Sequence, residues 1–208
     1  MTDSDTITGL LVSAVERAWA AIRSHHPDVP EVVLTVGSGS IGSDLTLGHF
    51  APNRWVRGVY ELHELFIGGE GLQRGAVGVL GTLLHEAAHG IAATRGIKDT
   101  SRQGRWHNER FRALGEELGL ALQRHDKIGW SVTSVPEQTG NLYRDELEEL
   151  AFALVAYRRR EPNGRDGRKS NNNGVSAGCG CGRKIRVPRS AYDAGPIYCG
   201  VREKRFVE

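Results

Sequence analysis

Long apolar runs and cysteines are scarce in this chain of 208 residues. No apolar stretch reaches the ~18–20 residues that a membrane helix needs, so we expect no membrane partner. The N-terminus is polar and acidic and lacks the basic and apolar regions of a secretory signal, which predicts a cytoplasmic protein. The three cysteines all lie near the C-terminus. An odd count in a reducing compartment excludes a disulfide framework and points first to metal binding.

A near-neutral net charge of +2 hides a strong asymmetry. Residues 1–157 contain 14 Lys and Arg against 20 Asp and Glu, whereas residues 158–208 contain 13 against 5. An acidic body with a basic tail is typical of a domain held near nucleic acid, although a merely solvated tail has the same composition. We therefore predict DNA contact through the C-terminal tail.

Hydrophobic periodicity predicts a mixture of helices and short strands. The predicted helices are residues 7–24, 72–94, 107–118 and 142–160, and the predicted strands are 31–36, 45–50, 59–67 and 127–135. Together they indicate an α+β fold with a small sheet packed on helices. Residues 161–177 have the composition of a flexible linker. The chain thus divides into a domain at 1–160, a linker at 161–177 and a small unit at 178–208.

The most informative string is Leu83-Leu84-His85-Glu86-Ala87-Ala88-His89-Gly90. Residues four positions apart lie on one face of a helix, so His85 and His89 can direct their imidazoles at one metal ion. Zinc suits imidazole nitrogen and keeps an open position in catalytic sites. Glu86 lies beside the metal without binding it, where it can act as a general base. Apolar residues at helical spacing give the helix a side that we expect to face the core: Leu80, Leu84, Ala87, Ala88 and Ile91.

A third ligand is required, and His107 is the first choice. It opens the predicted helix at 107–118, and Phe111, one turn later, would face the core and fix that helix. Other residues that could complete the site are Asp99, Glu109, Glu116, His125 and Asp126. Asp99, Ser101 and Arg102 lie in the loop before His107 and could brace that ligand from outside the metal's own shell.

The stretch from His85 to Phe111 resembles the SprT-like metallopeptidases. These proteins combine an HExxH helix with a third histidine that is followed four residues later by phenylalanine, here His107-x-x-x-Phe111. The resemblance covers roughly residues 7–135 and, more weakly, 178–208. The family often has glycine after the third histidine, where this chain has Asn108.

The resemblance implies a minimal zincin fold and zinc-dependent hydrolysis of peptide bonds in proteins. Metal-activated water would attack the scissile carbonyl, with Glu86 as the catalytic base and His85, His89 and His107 as the metal ligands. Eukaryotic relatives cleave proteins crosslinked to DNA. In zincins an edge strand binds the substrate by strand addition, and residues 59–67 are the candidate here. His63 on that strand is better explained as a surface residue than as a catalytic one.

The C-terminal unit resembles a zinc ribbon that lacks one ligand. Cys179 and Cys181 form the first pair, but Cys199 is followed by Arg202 where a C-x-x-C pair requires a fourth cysteine. A second zinc ion at Cys179, Cys181 and Cys199 is therefore doubtful. Residues 184–187 and 196–198 are the predicted strands of the ribbon.

Two other functions fit parts of the sequence. The chain also resembles the ImmA/IrrE-type HExxH proteins, which cleave repressors but lack a C-terminal ribbon. A nucleic-acid-binding module with a purely structural zinc site would have no need of Glu86. We therefore expect a zinc metallopeptidase.

Overall fold

The computed structural model describes residues 6–41, 44–160 and 174–208. Its helices are α1 (Ile7–His25), a 3-10 helix (Gly69–Arg74), α2 (Gly75–Thr94), α3 (Glu109–Glu117), α4 (Glu137–Leu142), α5 (Arg144–Ala153) and α6 (Arg189–Asp193). Its strands are β1 (Val32–Gly37), β2 (Ser40–Ile41), β3 (Asp44–Leu45), β4 (Gly48–Arg57), β5 (Tyr60–Gly68), β6 (Thr100–Ser101), β7 (Trp106–His107), β8 (Ala121–His125), β9 (Gly129–Ser134), β10 (Val175–Gly178), β11 (Lys184–Val187), β12 (Tyr198–Cys199) and β13 (Lys204–Arg205). None of the helices in these ranges combines the length and the hydropathy needed to cross a bilayer.

The architecture is α+β, as the sequence predicts. Helices α1, α2 and α5 pack around one core, and α2 contributes more buried residues to it than the other two. The predicted stripe on α2 is confirmed, because Leu80, Leu84, Ala87, Ala88 and Ile91 are all fully buried. Apolar burial on this scale is the main force that holds a helix of this composition in place.

The first sheet has the strand order β1-β5-β4, with β1 parallel and β4 antiparallel to the central strand β5. The prediction that residues 59–67 form an edge strand is therefore wrong: this segment is β5 and has neighbours on both sides. Among the described strands, β1 and β4 are the two edges of this sheet, and β4 joins β5 through the hairpin at Gly58. Alternation of side chains along one strand cannot identify the central strand, because it does not say which segments pair.

Two of the predicted helices are shorter than the periodicity suggests. Gly75 has a positive φ of 70°, which divides residues 72–94 into the 3-10 helix and α2. The helix predicted at 142–160 is observed only as α5, from Arg144 to Ala153, and the separate helix α4 precedes it. Val155, beyond the end of α5, is 62% exposed.

A buried carboxylate binds the segment that follows α5. Glu70 is 2% exposed, and its oxygens accept hydrogen bonds from the Ser40 hydroxyl and the Gly39 N–H. The Arg158 guanidinium binds the same carboxylate at 2.8 Å, while the Arg158 N–H donates to the Gly69 carbonyl. The Ser40 hydroxyl, the Gly39 N–H and Arg158 lower the pKa of Glu70 to about 2. Residues 154–160 thus form neither helix nor strand, and Arg158 within them is bound to Glu70 and Gly69.

A second sheet has the order β6-β7-β9-β8 and contacts α2 through β9. The sequence predicts only its strand at 127–135, observed as β9, and assigns residues 97–106 to a loop. In the structure β6 and β7 form a small hairpin within that segment. Strands of two residues leave no periodic signal, so only their pairing partners reveal them.

The chain divides into two compact units, Met1–Glu161 and Pro162–Glu208. Residues 161–173 of the predicted linker lie outside the described residues. The second unit begins earlier than predicted, because β10 starts at Val175. The predicted strand pairing is also wrong: β11 pairs with β10 rather than with residues 196–198, and β12 pairs with β13. Two hairpins and the helix α6 thus form this unit.

Candidate metal centre

The helix α2 places His85 and His89 on the same face, one turn apart, as the motif predicts. The Nε2 atom of His107 lies 3.3 Å from Nε2 of His85 and 3.2 Å from Nε2 of His89. The structure thus brings together all three predicted ligands, which come from two elements separated by a loop of about a dozen residues.

The distances between the Nε2 atoms fit a zinc ion. The choice of zinc rests on the chemistry of imidazole as a ligand. Nitrogens bound at ~2.0–2.1 Å in a tetrahedron lie about 3.3 Å apart. Burial and the neighbouring histidines lower the pKa of His85 well below its usual value, and burial also lowers that of His107. Three imidazoles with converging nitrogen atoms are suited to a cation, and all three line an open cleft.

Asp99 fixes the ring of His89. The Nδ1–H of His89 donates to Asp99 Oδ2 at 2.5 Å, which leaves the Nε2 lone pair free for the metal. The sequence analysis expected Asp99 to brace His107, whereas in the structure its carboxylate binds His89. The Asp99 carbonyl also accepts the Asn108 N–H, and the Asn108 amide donates to the Lys98 carbonyl. These two hydrogen bonds attach the loop at Lys98 and Asp99 to Asn108, the residue directly after His107.

His107 is held by the β8–β9 hairpin, a partner that the sequence reading missed. The Ile128 carbonyl accepts both the backbone N–H of His107 at 3.0 Å and its Nδ1–H at 3.1 Å. Gly129 permits this approach, because a Cβ there would lie 2.1 Å from the His107 carbonyl oxygen. The glycine at 129, at the start of a predicted strand, was the only signal of this close approach.

His107 does not open a helix, as the sequence reading expected. It lies on β7, and Asn108 is the N-cap of α3, with its side chain accepting the N–H groups of Arg110 and Phe111. Asparagine is a preferred N-cap, which explains how this chain starts α3 directly after its third ligand. A ligand on a short strand before the cap is fixed by backbone bonds on both sides.

The ring of Phe111 contacts the imidazoles of all three histidines. Its fully buried ring lies with its centroid 4.5–4.7 Å from the centroids of His85, His89 and His107. The expectation that Phe111 faces the core is confirmed. The ring contacts the same histidines that would bind the metal, so it restricts their rotamers as well as filling space.

His85, His89 and His107 form a triad, and Glu86 lies next to it. Glu86 is almost fully buried, with 5% exposure. Burial raises the pKa of its carboxyl group, which makes the carboxylate a stronger base. The Phe50 N–H of β4 donates to that carboxylate. Gly48 on the same strand allows the approach, because a Cβ there would meet Glu86 Oε1 at 3.2 Å and Thr82 Cγ2 at 2.7 Å. The edge strand therefore positions the predicted base.

A cleft of about 1350 Å³ runs across the triad. Its floor is the exposed side of α2, one wall is the segment 44–52 leading into β4, and the other is formed by β7 and β9. The cleft thus joins the three histidines, Glu86 and the free edge of β4.

The other candidate ligands have different partners. Glu109 accepts the Trp130 indole N–H at 2.8 Å, Glu116 pairs with Arg112, and His125 accepts the Lys127 N–H. Arg102 lies over the Trp106 ring, 4.5 Å from its centroid, rather than against a ligand. His63 accepts the Asn53 N–H and contacts Phe50, which agrees with a surface role.

Replacing Asp99 with asparagine should weaken metal binding at the triad by about 10–100-fold, because His89 loses the carboxylate that sets its tautomer. The dissociation constant can be measured by competition with a metal-binding dye. Ser101→Ala, a change in the same loop, serves as the control and should have no effect. An unchanged affinity in Asp99→Asn would show that the hydrogen bond does not support the metal.

The three cysteines form a second group of possible ligands. Their sulfur atoms lie within 4.8 Å of one another, and Sγ of Cys181 is 3.6 Å from Sγ of Cys199. Cys179 and Cys181 lie in the β10–β11 turn, whereas Cys199 ends β12. The backbone N–H groups of Val201 and Arg202 lower the pKa of Cys199 to about 7. The turn thus stabilises a thiolate even though Arg202 stands at the fourth position.

The change Arg202→Cys should complete a four-thiolate site and raise zinc affinity on the order of tenfold or more, since structural zinc sites are four-coordinate. Arg202→Ser is the matched control, because it removes the same charge without adding a thiol. Zinc affinity can be followed by competition in the full-length chain with the triad mutated. Equal affinities in the two variants would mean that residue 202 does not point at the sulfur cluster.

The fold and the two clusters define an α+β protein with candidate metal-binding sites. Comparisons with protein-family models, with curated proteins and with solved structures found no match to this chain. A function is therefore argued from the geometry of the site.

Proposed function

We propose that the chain is a zinc-dependent endopeptidase of SprT-like type. The observation that carries the proposal is the buried Glu86 beside three converging Nε2 atoms in an open cleft. A structural zinc site has closed coordination and needs no such base, whereas a catalytic site has three protein ligands and an open position. This contrast favours an enzyme over the non-enzymatic module.

Each residue of the centre has a defined task in this proposal. When bound, zinc would lower the pKa of a water molecule and polarise the scissile carbonyl. His85, His89 and His107 hold the ion, and Asp99 and the Ile128 carbonyl orient two of them. Glu86 removes the proton from the attacking water and passes it to the leaving amine. The Phe50 N–H keeps the Glu86 carboxylate at the cleft.

The free edge of β4 supports a peptide substrate. An extended chain can add to an exposed sheet edge through backbone hydrogen bonds, and β4 has an open edge that lines the cleft. This assigns to β4 the role that the sequence reading gave to residues 59–67. Because the same strand holds Glu86, binding of a peptide at this edge would place a peptide bond beside the base.

The test is hydrolysis of an unfolded protein by the full-length chain loaded with zinc. We expect fragments that disappear when a chelator removes the metal and return when zinc is added back. An enzyme of this kind should cut at internal positions, which mass spectrometry of the fragments would show. Absence of hydrolysis in the fully loaded protein would contradict the proposal.

We also propose DNA-associated proteins as substrates, since residues 158–208 contain 13 basic and 5 acidic residues. Removing residues 162–208 should weaken DNA binding, and binding by the intact chain should fall steeply with added salt. The deletion must keep Arg158, because that residue binds Glu70 in the body. Equal DNA affinity of the two chains would refute a role of the tail.

A further inference from the structure

Three basic side chains in the cleft lack a carboxylate partner. Arg74, Arg105 and Lys127 all line the cleft and are exposed. Within the parts of the chain that the structure describes, none of them forms an ion pair. The carboxylates of the same lining are engaged: Glu86 with the Phe50 N–H, Asp99 with His89, and Asp44 with a partner of its own.

The sign of the charge in the cleft differs from that of the body as a whole. Residues 1–157 contain an excess of six acidic groups, whereas the cleft lining brings three cations together and its carboxylates already have partners. Other arginines of the body bind carboxylates: Arg17 binds Glu149, Arg95 binds Asp28 and Glu117, and Arg112 binds Glu116. The cations of the cleft thus remain available to a ligand.

Arg74 reaches the catalytic centre along the surface of α2. Its side chain crosses Gly78, where a Cβ would lie 2.4 Å from Arg74 Cβ. The guanidinium donates to the Thr82 hydroxyl at 3.3 Å. Thr82 is one helical turn before Glu86, so the charge lies about one turn from the base. Glycine at position 78 makes this path possible.

Arg105 and Lys127 lie beside the third histidine. Arg105 directly precedes β7, which ends at His107, and Lys127 directly precedes Ile128, whose carbonyl holds the His107 ring. They approach from the wall formed by β7 and β9, while Arg74 approaches from the start of α2. Positive charge therefore flanks the triad from two sides.

We propose that the cleft selects acidic peptide segments, with aspartate or glutamate side chains on both sides of the cleaved bond. This inference rests on the proposed peptidase function and names its substrate class. An extended peptide on the edge of β4 places successive side chains about 3.3 Å apart along the cleft, so residues a few positions on either side of the bond can reach both groups of cations.

The test compares three peptides of equal length that differ only in having glutamate, glutamine or lysine at the positions flanking one cleavage site. With the zinc-loaded full-length chain, we expect kcat/KM to be about five- to tenfold higher for the acidic than for the neutral peptide, as for two or three exposed ion pairs. The lysine peptide should be the poorest substrate. The preference should decrease as salt is added.

Two charge reversals and one control locate the effect. Arg74→Glu and the double change Arg105→Glu with Lys127→Glu should each reduce the acidic-to-neutral ratio, and together they should invert it. Arg144→Glu makes the same change on the exposed start of α5, outside the cleft lining, and should leave the ratio unaltered. A ratio near one in the wild type, or equal ratios in all variants, would overturn the proposal.

Failure of the inference and failure of the peptidase proposal give different results. Cleavage of all three peptides at similar rates would refute only the acidic preference. If no peptide is cut, fluorescence anisotropy with the acidic peptide still tests the cleft. The basic tail also attracts this peptide, so the result is the difference between wild type and the cleft variants. If a single-stranded oligonucleotide blocks the cleft and the reversals relieve the block without any peptide preference, the cations serve nucleic acid instead.

Discussion

Replacing Glu86 with glutamine is expected to reduce hydrolysis by at least about 10²–10⁴-fold, the range for loss of a general base. The amide keeps the shape of the carboxylate but cannot accept a proton from water. Because glutamine is not a ligand in the proposed site, zinc content and thermal stability should match the wild type. The measurement is the initial rate of peptide cleavage at saturating zinc, with metal content determined on the same preparation.

Glu116→Gln is the matched control for this experiment. Glu116 is a surface glutamate on α3 that pairs with Arg112, so the same change of charge there should preserve activity. Cleavage retained in Glu86→Gln would defeat the proposed mechanism. A protein that binds zinc and loses stability without it, yet never cleaves a peptide, would instead support the non-enzymatic module.

The change His107→Ala is expected to remove most of the metal from the triad. Two imidazoles remain on α2, but a catalytic zinc site requires three protein ligands, and the Ile128 carbonyl loses its ring partner. The measurement is zinc per chain by elemental analysis, on wild type and variant. One equivalent in the wild type that falls close to zero would place the metal at the triad alone.

Other outcomes are equally informative. Two equivalents that fall to one would show that Cys179, Cys181 and Cys199 also hold zinc. One equivalent that the mutation does not affect would place the metal elsewhere or show that another residue is the third ligand. The assignment of His107 as a ligand would then be wrong. His125→Ala is a suitable control, because its ring accepts only a local backbone N–H and lies outside the triad.

The motif on α2 was predictable because it is local. Spacing of four residues fixes which side chains share a face of a helix, whatever the rest of the chain does. The same periodicity identified the buried stripe from Leu80 to Ile91 and the contact of Phe111 with the core. These predictions needed only helical geometry and the tendency of apolar side chains to be buried.

The support of the ligands was not predictable in the same way. Ile128 is 21 positions from His107, and its role depends on a backbone carbonyl, which every residue has. Gly129 was visible in the sequence, but a glycine at the start of a strand does not say which backbone it approaches. Arg158 is 88 positions from Glu70, and it binds that residue from a non-helical segment where the periodicity predicts a helix.

The sequence by itself determined the α+β class, the helix that carries the HExxH motif, the three histidines that converge and the separate C-terminal unit. Each follows from periodicity or from spacing within one element, or from a composition change along the chain. Only the tertiary structure decided that β4 rather than β5 is an edge strand, that His107 lies on a strand and that β11 pairs with β10. The physical reason is that strand order and backbone hydrogen bonds join segments distant in sequence, and most backbone groups are chemically alike.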